Sequence, residues 1–328
     1  MSRIDFTKFP KIEQHVHLNG TVSDATLLDL STTFISNDFK LPVGRSLSEC
    51  FVVFDAIHKV TLNPSAVERI AKEAVEDAYF HNILHLELRT TAHSNSNMSS
   101  LDYLEAVIGG IHSATVKPFS IVLILCLDRS KKVPNLDSWF EVVHLINNKY
   151  NNIIRGIDLA GNPTRGSSLE FIPFFQRARS IGLFTTMHFS EVDNINDNNT
   201  VLEFKPDRLG HAVLHPQGAI DCNIPVELCF SSNLLTESAS SHNHPVHLFN
   251  SVNHPFSICT DDPGVFKVNY TDEYATVFSV LKCDLDYFVG IVRNSINFCF
   301  VTNAEKQDLL AEFDRRVNEF RSEINEII

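Results

Sequence analysis

SIVLILCL, residues 120–127, is an almost unbroken apolar run. A strand with one face in water alternates apolar and polar side chains, whereas a strand covered on both faces does not. The run therefore predicts a strand of a parallel sheet covered by helices. Seven more short runs rich in Ile, Val and Leu accompany it: KIEQHVHL (11–18), ILHLELR (83–89), IIRGIDLA (153–160), LFTTMHFS (183–190), DRLGHAVL (207–214), IPVELCFS (224–231) and PFSICTDD (255–262). Amphipathic helical patterns lie between them at 23–34, 63–80, 100–114, 136–150 and 168–182. From 267 the chain reads as helical, ending in 303–327. Ser23, Asn63 and Asn303 are the expected caps, and Pro173 is expected to disturb the first turn of its helix. Strand–helix alternation repeated eight times predicts an α/β fold, a TIM (β/α)8 barrel, with an open doubly wound sheet as the rival. No linker, charge block or low-complexity segment divides residues 1–328, so a single domain is expected.

Composition narrows the function classes. The net charge is −13 and 44% of residues are hydrophobic. An acidic chain is unsuited to a nucleic-acid polymer, which needs a basic surface, but it can still hold one nucleotide through a few local donors. No run approaches a membrane span, and MSRIDFTKFPKIEQ lacks the apolar centre of a signal peptide. The seven cysteines are dispersed, with no C-x-x-C, and read as buried reduced thiols. The expectation is a cytoplasmic monomer with a small-molecule partner and no membrane contact.

In a TIM barrel the chemistry collects where strands end. IEQHVHLNG (12–20) places His15 and His17 two apart, on one face of a strand, and paired imidazoles suit Zn, Cu, Fe or Ni. Other strand ends deliver Arg89, Thr90, Thr91, Asp128, Asp158, Gly161, His188, Glu191, His211, Ser231, Ser232, Asn233, Asp261 and Asp262. Each has a bland reading: a satisfied buried histidine, a solvated Glu191, a turn at Asp-Asp-Pro. Together, three histidines and a carboxylate form a donor set for Zn²⁺, with a carboxylate and a fourth histidine to assist hydrolysis. His242, His244 and His247 in SHNHPVHLF (241–249) read as loop and helix-start residues rather than a second metal site.

HVHLNG (15–20), DLAGNP (158–163), HFSE (188–191), RLGHAV (208–213), SSN (231–233) and TDDPGVF (260–266) occur in the order in which one family carries them. The sequence resembles the adenosine/AMP deaminase family of the amidohydrolase superfamily. HLNG, HKVT (58–61), LRTT (88–91) and HFSE are most similar to its branch acting on N6-methyl-AMP. The resemblance implies one Zn²⁺ per subunit, held by His15, His17, His188 and Asp261 at the C-terminal ends of the strands. It makes Glu191 the proton donor to purine N1. It makes His211 the group that orients the attacking water and takes its proton, and Asp262 a contact to N7. The N–H of Gly161 would reach N3, His17 would also touch substrate, and Asn19, His58, Arg89, Thr90, Thr91 and Asp128 would bind ribose and phosphate. C6 of adenine is a poor electrophile, and protonating N1 requires a carboxylic acid of raised pKa.

The implied reaction is hydrolysis of N6-methyl-AMP to IMP and an amine. Adenosine deamination is the alternative, and a non-catalytic metal-binding barrel a third reading. The P-C-x-x-C half of the signature of the other zinc deaminases is missing. The chain departs from the family at Phe230, where Pro is common, at Ala212, where Gly is usual, and at Ala92-His93, where Pro and a basic residue follow LRTT.

Overall fold

β1 (Lys11–His17) and β2 (Ile83–Thr90) are buried on both faces nearly throughout, although both carry polar and charged side chains. The computed structural model describes residues 4–36, 38–43 and 46–327. In it β1 and β2 are followed by β3 (Ser120–Asp128), β4 (Ile154–Ala160), β5 (Phe184–Phe189), β6 (Arg208–His211), β7 (Val226–Leu228) and β8 (Phe256–Ile258). All neighbours pair in parallel, in the order of the sequence. The His17 N–H donates to the Asp261 carbonyl and the Asp261 N–H to the His15 carbonyl, each at 2.9 Å, tying the end of β8 back to β1. The architecture is the TIM barrel. β6, β7 and β8 are shorter than the apolar runs that announced them, because the chain leaves the sheet there in turns.

The expected helices form at Asp24–Phe34, Pro64–Phe80, Ser100–Ser113, Leu136–Lys149, Ser168–Ser180 and Asn303–Ile327. Ser23 caps the first, accepting from the Thr26 N–H. Asn63 takes the cap position without a side-chain bond. The last helix is capped one residue earlier than expected: the Thr302 N–H donates to Glu305 Oε2 at 2.6 Å, and the Glu305 N–H returns to Thr302 Oγ1 at 3.3 Å. Pro173 lies within its helix rather than breaking it. Helix Leu47–Val60 lies outside the expected set, and Phe51 and Val52 stay exposed on it. None of the described cysteines forms a disulfide, and Cys222 and Cys283 are only partly buried. No helix among the described residues is long and apolar enough to cross a membrane.

The barrel interior departs from the usual filling of branched apolar side chains. Arg89 on β2 reaches Asp158 on β4 and Glu227 on β7, and Arg208 on β6 reaches Glu87 on β2 and Glu227. Side chains joining non-adjacent strands must cross the lumen, so these charges form its floor. All five are fully buried, and each is paired, as buried charges must be.

Candidate active site

Above that floor stand the histidines. β1 carries one more residue than β2 between Glu13 and Val16, so His15 sits in a local irregularity of the strand. Its ring nevertheless lies 5.3 Å from that of His17 and 4.7 Å from that of His188. His15 Nδ1 is 2.6 Å from Glu227 Oε2, and His188 Nδ1 is 3.1 Å from Asp158 Oδ1. Carboxylates on Nδ1 take the ring protons there and turn bare Nε2 atoms into the lumen. His15 Nε2 is buried with no hydrogen-bond partner among the described residues. His17 Nε2 comes within 3.2 Å of His188 Nε2, and Asp261 Oδ1 lies 3.4 Å from His17 Nε2 and 3.5 Å from His15 Nε2. Lone pairs converging in this way repel unless a cation lies among them. The nitrogen and oxygen donors fit Zn²⁺.

Three residues that place these groups have positive φ: Ser190 at 58°, His211 at 64° and Asp261 at 65°. Non-glycine residues adopt that region at a cost of about 1–3 kcal/mol, and strain of this kind collects at functional sites. Here it turns His211 and Asp261 inward at the strand ends. Asp261 Oδ2 accepts from Ser232 Oγ at 2.6 Å. Burial works against the Asp261 charge, but the neighbouring His15, His211 and His17 outweigh it and hold its pKa well below the usual range.

Glu191 and His211 face one another, and Asp262 lies within electrostatic reach of Glu191. His211 Nε2 is 3.7 Å from Glu191 Oε2. Burial raises the pKa of Glu191, and burial with the Asp261 charge raises that of Asp262 well above the carboxylate range. Burial pushes His211 down to about 3. Gly20 explains the Asn-Gly of the first motif: a Cβ there would stand 1.8 Å from Asp262 Oδ1 and 2.7 Å from its Cα.

At the mouth, Asn19 Nδ2 lies 3.4 Å from His93 Nε2, and the His93 ring is 6.1 Å from that of His58. Asp128 and Lys131 act electrostatically on both histidines. Gly161, at φ 97°, packs against Asp128, where a Cβ would stand 2.2 Å from Oδ1. Thr91 is half-buried beside this group in sequence. Two expectations are corrected. Arg89 is not at the mouth: it is fully buried, and its Nη1 and Nη2 donate to Asp158, Glu227 and the Gln14 carbonyl beneath the histidines. Thr90 is buried behind Tyr103, whose hydroxyl is 2.7 Å from Thr90 Oγ1 and 3.4 Å from Asn19 Oδ1. The residue that follows strand β2 inward therefore faces the floor rather than a ligand.

Sequence reading passed over Glu227, Tyr103 and Lys131. Glu227 had a signal in the period-two polar positions of the strands, such as His85, Glu87 and Arg89 in HLELR. His242 and His247 lie outside the site; His247 Nε2 is bonded to the Ser241 carbonyl at 2.9 Å.

A sequence profile described as adenosine deaminase matches residues 10–316. The N6-mAMP deaminase of Arabidopsis thaliana is 34% identical, over 93% of this chain and 96% of that protein. The apo structure of N6-methyl-AMP deaminase from the same plant superposes with a TM-score of 0.89 at 35% identity, covering 96% of this chain and 98% of that one. Arabidopsis ADAL complexed with IMP gives 0.86 at 34% identity, covering 96% and 99%. With its barrel and the converging groups at the strand ends, the chain belongs to the adenosine deaminase family and is a hydrolytic deaminase.

Proposed function

We propose that this enzyme hydrolyses a 6-aminopurine nucleoside monophosphate, N6-methyl-AMP giving IMP and methylamine, with one Zn²⁺ held by His15, His17, His188 and Asp261. The observation that carries the reading is the juxtaposition of two sets of groups: the bare imidazole nitrogens in the lumen, and Asn19, His93, His58 and Lys131 together at the mouth. The first set suits hydrolysis at C6, and the second offers donors to an anion on the ribose. Zn²⁺, when bound, lowers the pKa of water toward ~7 and so supplies a nucleophile at neutral pH.

The protein's own groups do the rest. Glu191, its pKa raised by burial, is the acid that would place a proton on purine N1 and make C6 attackable. Asp262, its pKa raised by burial and by the Asp261 charge, would donate to N7 in its protonated form. Gly161 leaves its N–H open to N3. Burial and the neighbouring His58 lower the pKa of His93 to about 4, so at neutral pH it is an uncharged donor or acceptor rather than a fixed cation. Lys131 supplies the positive charge of the group. Similarity to proteins named for N6-methyl-AMP, and to one bound to IMP, supports the nucleotide substrate.

Adenosine deamination is the second reading. It gains from the burial of Arg89, which removes one cation from any phosphate site. Steady-state kcat/KM for N6-methyl-AMP, AMP and adenosine on metal-verified protein separates the two. Turnover of N6-methyl-AMP far above adenosine is expected; the reverse order would discard the phosphate site and keep the deaminase chemistry.

A further inference from the structure

Behind His211 lie two buried side chains that the mechanism does not use, Asn233 and His244, each 1% exposed. They form a chain of hydrogen bonds with one backbone group. The Val246 N–H donates to His244 Nδ1 at 3.1 Å. A backbone N–H can only donate, so Nδ1 is the acceptor and a neutral His244 carries its proton on Nε2. That nitrogen is 3.2 Å from Asn233 Oδ1. The amide oxygen is thereby assigned, and Asn233 Nδ2 is left facing His211 Nδ1 at 3.1 Å. An amide NH₂ also only donates, so His211 Nδ1 is an acceptor. The one remaining ring position for a proton is Nε2, the nitrogen that faces Glu191.

We propose that Asn233 and His244 are positioning residues that hold His211 as the Nε2–H tautomer, so that it donates a hydrogen bond to the attacking oxygen and does not act as a base. A base would need a lone pair on Nε2, and the imidazolium it became would need a proton on Nδ1, where the Asn233 amide already points one. The inference rests on the hydrolytic reading above, and it assigns work to Asn233 of SSN and to His244, which otherwise have no role.

The test is long-range ¹H–¹⁵N correlation of ¹⁵N-histidine-labelled, zinc-loaded protein without substrate. His211 and His244 are both expected as Nε2–H. Asn233→Asp replaces the donor with an acceptor and should switch His211 to Nδ1–H, with kcat falling about 10²–10⁴-fold and KM nearly unchanged. His244→Gln, which can still donate to Asn233, should keep the wild-type tautomer and lose far less of kcat than His244→Leu. If Asn233→Asp does not fold, the His244 pair carries the same comparison. Nδ1–H in the wild type, a switched tautomer with unchanged kcat, or equal losses in the two His244 variants would overturn the proposal. Failure of the wild type to turn over any purine would instead overturn the hydrolytic reading, whatever the tautomer.

Discussion

Glu227 Oε2 lies 2.6 Å from His15 Nδ1, and the same oxygen accepts from Arg89 Nη2 at 2.9 Å. Its other oxygen takes Arg208 Nε at 2.7 Å and Thr186 Oγ1 at 2.9 Å. One carboxylate therefore orients a proposed metal ligand and neutralises the floor of the barrel.

Glu227→Gln should damage both. An amide cannot accept from all four donors, and Arg89 and Arg208 would lose their shared counter-charge. Losing the hydrogen bond behind a ligand typically costs about 10–100-fold in metal affinity. Breaking a buried ion pair costs about 3–5 kcal/mol. Zinc competition titration and urea unfolding of the metal-free protein measure the two losses. Wild-type values in both would remove Glu227 from these roles.

Gly20→Ala should displace Asp262. Its Cβ would meet the Asp262 carboxylate and the Asp262 Cα, and the second is backbone that cannot swing aside. The expected result is a fall in kcat of about 10²–10⁴-fold, the scale of losing one positioned acid. Zinc content, read by elemental analysis, should stay near one per chain, because the clash falls on Asp262, which is not a proposed ligand.

His93→Ala and Lys131→Ala should discriminate between substrates. A hydrogen bond to a charged group is worth about 1.5–3 kcal/mol. Each variant should then lose about 10–100-fold in kcat/KM for N6-methyl-AMP and little for adenosine. Equal losses on both substrates would place these residues outside a phosphate site. Arg89→Ala should fail differently, by unfolding, because it lies in the floor.

Stability should fall in acid, and the floor should account for it. Burial raises the pKa of Glu227, but Arg89, Arg208 and His15 outweigh it and hold it well below the ordinary value. Asp158 is likewise held low, against burial, by His188 and Arg89. A carboxyl whose folded pKa is depressed contributes stability above its unfolded value of about 3.9–4.3. That contribution is lost as pH falls through the depressed values. Unfolding free energies of metal-free protein should therefore drop below about pH 4, and the drop should be shallower in Glu227→Gln. An identical acid limb in that variant would mean that other carboxylates dominate.

The barrel was legible in the sequence because its signals are local. Continuous apolar runs such as SIVLILCL report burial on both faces, and the helical patterns between them report what covers those faces. The histidines, Glu191, Asp261 and Asp262 could be singled out because residue type and position at a strand end already restrict what they do. The height at which a side chain stands in the lumen is not local. Arg89 follows an apolar run just as a ligand-binding residue would, yet carboxylates from β4 and β7 draw it down into the floor. Glu227 acquires its role only when strands far apart in sequence meet around one axis. A residue's type and strand period come from the chain itself; the partner across the barrel comes only from closing it, since burial makes each charge or donor depend on a group that another strand must bring.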